Sequence, residues 1–218
     1  MPQPFIGTYG QPGIAVAGQL RDAGCNTLWF HGFDEDAFQA CAGAGLQPCV
    51  EFRTFREDFT RRPDLVPIGV DGHPIRYGTL VQGVCLSKTD FISERCDELK
   101  EGVAAHEPAG VWLDYLSGAG WFESPDPELQ ESCFCPECVA DFCDATGIDA
   151  TSPAVILGEH ADEWTAHMFA RVAALGREFA TIIRAAHPQA LVGAYMCPWT
   201  PQEFDGALTR IFAQDYTL

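Results

Sequence analysis

Apolar and polar positions follow two rhythms along this chain, and the rhythms take turns. Short runs with a period near two fall at residues 5–9, 25–31, 46–53, 110–115 and 191–196, and they predict strands. Between them lie stretches with apolar residues every three or four positions, which predict helices. The first of these covers 14–23 and ends at Gly24, and the second begins near Asp34 and stops at Gly43 to Gly45. A third covers 89–106 and carries Phe91, Leu99 and Val103. The clearest sets Trp164, Met168, Val172, Leu175, Phe179 and Ile182 on one face, a stripe read as core packing, and the last covers 201–213. Two long excursions interrupt the alternation. One follows the third strand, with Pro63, Pro67, Gly69, Gly72, Pro74 and Gly78 as breakers, and the other follows the fourth.

Five βα units in succession imply a parallel sheet, because parallel strands need crossover connections. An open doubly wound sheet and a βα barrel both satisfy that. No G-x-G-x-x-G follows the first strand and no G-x-x-x-x-G-K occurs, which weighs against a nucleotide-binding open sheet. The long βα loops favour the barrel, whose sites are built from those loops. The expected fold is therefore α/β, a (β/α) TIM-barrel type sheet occupying residues 1–218 as one domain. About five of the eight units of such a barrel are present, so the chain reads as ending after its fifth unit.

Charge narrows the partners. There are 31 acidic and 13 basic side chains, a net charge of −18. Such a surface repels nucleic-acid phosphates and anionic membranes, so neither is an expected partner. Only Lys88 and Lys100 are lysines, and an acidic, lysine-poor surface suits salt-rich surroundings. No run is long and apolar enough to span a bilayer, and the first residues lack the pattern of a signal peptide. The expected location is cytoplasmic, where thiols stay reduced.

Ten cysteines need explaining in that setting. Cys133-Phe134-Cys135-Pro136-Glu137-Cys138 packs three thiols into a C-x-C-x-x-C motif, which fits one soft ion. Structural zinc wants a tetrahedron of four ligands, and sulfur alone can supply them. Cys85, at the end of the first excursion, and Cys143, on the helix starting near Glu137, are the candidates for the fourth. Cys85 is preferred because it lies on the adjacent loop at the same rim of the sheet. An all-cysteine site is closed, so the zinc would hold loops and perform no chemistry. Cys25, Cys41, Cys49, Cys96 and Cys197 fall in strand or helix patterns and read as small core hydrophobes.

The segments 110–116 and 133–138, followed by Phe142 and Gly147, resemble glycoside-hydrolase-like TIM barrels, and the cysteine cluster is similar to that of the family 42 β-galactosidases. The resemblance implies that Cys85, within Val84-Cys85-Leu86-Ser87, completes a zinc site with Cys133, Cys135 and Cys138. It also implies action on glycosidic bonds through two carboxylates at the C-terminal rim, and a carbohydrate as substrate or ligand.

Rim residues can also be read from strand alternation alone. On the fourth strand, Trp112 and Asp114 share the face opposite Val111 and Leu113. An acid at a strand end beside an aromatic ring suits sugar chemistry, so Asp114 is the first catalytic candidate, with Trp112 beside it to bind sugar; the alternative for Asp114 is an aspartate that caps a turn or bonds loop amides. On the third strand, Glu51 and Arg53 take the polar phase, either as a substrate-orienting pair or as a structural ion pair. The catalytic partner of Asp114 is expected to be Glu51, or Glu123 approaching from the loop after the fourth strand, or absent, with a solvated loop acid as the alternative for Glu123. His31, Tyr195 and Trp199 close the second and fifth strands and suit sugar binding, with ordinary packing as the alternative for the two aromatics. The expected activity is hydrolysis of glycosidic bonds. The rival expectations are a non-catalytic carbohydrate-binding module and a scaffold that pairs with a second copy through an open sheet edge, making a homo-oligomer.

Overall fold

The computed structural model describes residues 4–10, 12–77, 83–122, 127, 129–150 and 152–214. Five strands form one parallel sheet: β1 (Gly7–Tyr9), β2 (Thr27–His31), β3 (Gln47–Arg53), β4 (Gly110–Asp114) and β5 (Leu191–Ala194). They stand side by side in sequence order, β1-β2-β3-β4-β5. A doubly wound sheet reverses direction at a switch point and so breaks sequence order, whereas a βα barrel never reverses. The barrel-type expectation is therefore met.

The helices are α1 (Pro12–Ala15), α2 (Ala17–Asp22), α3 (Glu35–Ala44), α4 (Thr89–His106), α5 (Pro136–Thr146), α6 (Pro153–Glu159), α7 (Ala161–Ala186) and α8 (Ala207–Arg210). Local chemistry sets their ends. Asp34 accepts a hydrogen bond from the Ala37 amide at 2.9 Å and starts α3. Gly45, at φ 71°, closes α3 in the left-handed conformation that only glycine adopts cheaply. The helix expected over 14–23 is broken at Val16 into α1 and α2. The helix expected over 201–213 shrinks to α8, because Phe204, Asp205 and Gly206 all take positive φ.

The chain divides into two compact units, with boundaries inside α4 and α7. The first (Met1–Thr54, Arg95–Asp114, Glu178–Tyr195) holds the sheet. On one side of its strands Leu28, Phe30, Val50, Phe52, Val111 and Leu113 are buried among helices. Phe52 lies 6.3 Å from the Phe179 ring of α7, and the Arg95 guanidinium covers it at 4.5 Å. The opposite side carries Tyr9, His31, Glu51, Arg53 and Asp114, as the alternation predicts. That side is concave: Tyr9 at the end of β1 and Tyr195 just past β5 bring their rings within 6.2 Å.

The second unit (Phe55–Glu94, Tyr115–Arg177, Met196–Leu218) holds both long excursions and the C-terminal segment. Trp164, 1% exposed, stacks on Phe134 at 4.8 Å and meets Phe142 edge-on at 5.3 Å. A separate cluster joins Cys197, Ala207, Leu208, Ile211 and Phe212. Among the described residues no helix is long and apolar enough to cross a membrane.

Candidate functional site

Parallel pairing puts the polar ends of the strands in register. His31 pairs with Glu51 across β2 and β3, and Arg53 pairs with Asp114 across β3 and β4. Glu51 is the hub. It is 3% exposed, yet its carboxylate is well supplied with donors. Arg53 Nε donates to Oε1 at 2.9 Å, His31 Nδ1 lies 2.7 Å from the same oxygen, and the Tyr9 hydroxyl donates to Oε2. A buried carboxylate needs such partners, since stripping its water without them is prohibitive. The Arg53 backbone is held in turn by Arg95, whose Nη2 donates to its carbonyl at 2.8 Å.

Asp114 is half-buried at the end of β4. Its carbonyl accepts from the Thr54 amide at 2.8 Å and from the Thr54 hydroxyl at 2.6 Å, which fixes the backbone from which the carboxylate projects. Burial pushes the pKa of Glu51 up, the Arg53 hydrogen bond opposes that, and the charge and hydrogen bond of the adjacent Asp114 add to the rise. Two carboxylates in contact resist double ionisation, so a proton sits on Glu51 more readily than on a free glutamate. Burial, then the charges of Glu51 and Asp114, push the Tyr195 phenol up to about 12.

This face gathers Glu51, Arg53, His31, Asp114 and Tyr195, and it adds Tyr9, which the sequence reading did not single out. The signal was present in β1. Tyr9 shares the period-two face of His31 and ends its own strand, but β1 is only three residues long.

Two expected sugar-binding residues lie elsewhere. The Trp112 ring folds down its strand, away from Asp114. A Cβ at Gly110 would meet its Cζ3 at 2.4 Å, and one at Gly193 its Nε1 at 2.7 Å. There it meets Trp29 edge-on at 5.7 Å and lines an open hollow of about 880 Å³ at the N-terminal ends of the strands. The small residues on either side leave room for the indole, and that decides its direction. Trp199, in the second unit, packs on Phe204 at 4.0 Å and on Phe122 and Phe212, the packing alternative weighed for it. Glu123 lies outside the described residues.

In the second unit, Cys85, Cys133, Cys135 and Cys138 are all buried, with their sulfurs within 4.8 Å of one another. The Sγ atom of Cys85 lies 3.6 Å from that of Cys135 and 3.5 Å from that of Cys138. Cys135 caps α5, Pro136 takes its first position, and the Cys138 amide points back at the Cys135 sulfur at 3.4 Å. The Ile68 amide donates to the Cys133 sulfur at 3.2 Å. Ser87 Oγ lies 3.1 Å from the Cys138 sulfur and donates to Asp141 at 2.7 Å, while Arg171 donates to Ser87 at 3.2 Å. Hydrogen bonds from Cys133, Cys135 and Cys85 hold the Cys138 thiol well below the ordinary range. Such a buried, donor-lined set of soft sulfurs could hold a metal ion. Cys143 is not part of it, since its thiol donates to the Ala150 carbonyl at 3.3 Å.

No protein-family model matches the chain, and no curated protein matches it in sequence. Solved structures do match in shape. A β-galactosidase from the Antarctic haloarchaeon Halorubrum lacusprofundi superposes with a TM-score of 0.64 at 15% identity, over 89% of this chain and 36% of that one. A GH42 β-galactosidase from G. stearothermophilus gives 0.62 at 10% identity, over 88% and 35%. The PgaB (BpsB) glycoside hydrolase domain from Bordetella bronchiseptica gives 0.68 at 11% identity, over 97% and 70%. The chain thus spans about a third of the length of those β-galactosidases. At this identity the likeness speaks to fold alone. With five parallel strands in unbroken sequence order and these structures matching in shape, the chain has an α/β fold of the (β/α) barrel type.

Proposed function

We propose that the concave face hydrolyses glycosidic bonds. The observation that carries this is the placement of Asp114. It is a half-buried carboxylate at the C-terminal end of β4, next to Glu51 and Arg53, on the rim where βα barrels build their active sites. In this reading Asp114 meets the positive charge that develops at the anomeric carbon, and Tyr9 and Tyr195 offer ring faces to the sugar. The neighbours, named as β-galactosidases and a glycoside hydrolase domain, support a carbohydrate as the substrate class.

Glycosidase carboxylates that flank a sugar stand about 5–5.5 Å apart for retention and about 6.5–9.5 Å for inversion. Glu51 and Asp114 are in hydrogen-bonding contact, too close to admit a sugar between them. Glu51 is therefore assigned a positioning role: it anchors Arg53, His31 and Tyr9 around Asp114. Incubation with a panel of p-nitrophenyl glycosides tests the proposal. Hydrolysis by the native chain, reduced about 10²-fold or more in Asp114→Asn, is the expected result. Equal rates in the two proteins would refute it. The contact between the carboxylates also favours a rival, a carbohydrate-binding module without turnover, and sugar binding with no hydrolysis would select it.

The metal assigned to the cysteine centre is zinc. Four sulfurs at about 2.3 Å from a common ion lie about 3.8 Å apart in a tetrahedron. The spacings of 3.5 and 3.6 Å from Cys85 come close to that, while a disulfide needs about 2.05 Å. Four protein ligands leave no open position, so the ion would tie the two long loops together and take no part in hydrolysis.

A further inference from the structure

We infer that His31 is the proton-transferring residue of the concave face, with Glu51 and Tyr9 fixing its tautomer; this rests on the reading of that face as a hydrolase site. Two contacts converge on one ring nitrogen. Nδ1 lies 2.7 Å from Glu51 Oε1 and 3.1 Å from the Tyr9 hydroxyl. A phenol has one proton, and Tyr9 gives it to Glu51 Oε2. Toward His31 the Tyr9 oxygen can therefore only accept, and Glu51 Oε1, which already accepts from Arg53 Nε, is an acceptor too. Both contacts require the hydrogen on Nδ1, which makes Nε2 the nitrogen that gains and loses a proton. Glu51, at 3% exposed, is shut away from a substrate, whereas the His31 side chain is 30% exposed and within reach of one. A buried carboxylate behind an imidazole holds it in one orientation and stabilises its protonated form.

Titratable and charged groups share the ring's face of the sheet. They are Tyr9 on β1, Glu51, Arg53 and Cys49 on β3, Asp114 on β4, and Tyr195 past β5. Glu51 and Asp114 are the acidic groups, and Arg53 is already engaged by Glu51. The step balances as follows. Protonated His31 gives the Nε2 proton to the glycosidic oxygen as the bond from that oxygen to the anomeric carbon breaks, and the bonding pair stays on the leaving alcohol. Asp114 faces the resulting charge at carbon. Neutral His31 then takes a proton from the water whose oxygen bonds to the anomeric carbon, so glycoside and water become a free sugar, a hemiacetal at that carbon, and the released alcohol.

Two measurements test the assignment. Long-range ¹H–¹⁵N correlation of the ¹⁵N-labelled native chain, at a pH where imidazole is neutral and with His31→Gln for assignment, should show protonated Nδ1 and bare Nε2. A ring protonated on Nε2 would overturn the assignment. In the second, His31→Gln is compared with the native chain on p-nitrophenyl and 2,4-dinitrophenyl glycosides. The poorer leaving group should lose about 10²–10⁴-fold in kcat, and the activated one, which departs without a proton, less than about tenfold. Equal losses on both would mean that His31 is only structural. If the native chain cleaves neither glycoside, the hydrolase reading fails and the acid role fails with it, even where the tautomer is the expected one.

Discussion

Breaking the cysteine centre should loosen the long loops by an amount that the connectivity sets. An ion held by Cys85 and Cys138 closes a loop across a separation of 53 residues. The chain-entropy expression for a cross-link of that span gives about 4 kcal/mol. For a chain of this size, each kcal/mol moves Tm by about 2–4 °C, so removing the cross-link should lower Tm by about 8–16 °C. The perturbations are Cys85→Ser and, separately, chelator treatment of the native chain. Thermal unfolding is followed by near-UV circular dichroism. Trp164 is a built-in reporter, because it stacks on Phe134, between two of the ligands. Metal content supplies the second axis: one zinc per native chain, and one per Cys143→Ser chain, since that thiol is engaged by the Ala150 carbonyl. An unchanged Tm and an unchanged near-UV spectrum after chelation would refute the reasoning, as would loss of zinc from Cys143→Ser.

Three further expectations are independent of the metal. The Tyr195 phenol is raised from 10.0 to about 12, so a spectrophotometric titration should show a late-titrating tyrosine that disappears in Tyr195→Phe. Because the folded state holds that proton more tightly, the stability it contributes is present below pH 10 and lost as pH rises toward 12; a constant stability across that window would contradict the placement. Gly118→Ala puts a Cβ 2.2 Å from the Ile211 carbonyl oxygen, a backbone atom that cannot swing aside, and should cost about 1–3 kcal/mol in urea unfolding. A neutral result there would mean that the loop after β4 is not seated on the C-terminal segment. A net charge of −18 predicts a Tm that climbs between 0.1 M and 1 M KCl, as the screening length falls from about 10 Å to about 3 Å. A flat response would show that self-repulsion is a minor term.

Much of this protein was decided by local pattern. Period-two alternation put Glu51 and Arg53 on the face opposite Val50 and Phe52, and Asp114 opposite Leu113, because successive side chains of a strand must point to opposite sides. The spacing of Cys133, Cys135 and Cys138 already required a common centre, since a capping cysteine and the first helical turn hold thiols close. Other features depend on how strands curve and where rotamers find room, and neither is written in periodicity. Curvature carries Tyr9 to Tyr195 across the sheet, joining residues 186 positions apart in the chain that no local signal connects. Cys85 joins the centre and Cys143 does not, because the path of the first long loop delivers one sulfur while α5 turns the other toward Ala150. Trp112 shares a face with Asp114 yet serves the other end of the strands, because Gly110 and Gly193 leave space only there. Alternation along a strand sets which face a side chain takes, because it is local; which residues on that face meet depends on curvature, loop path and packing, which are not.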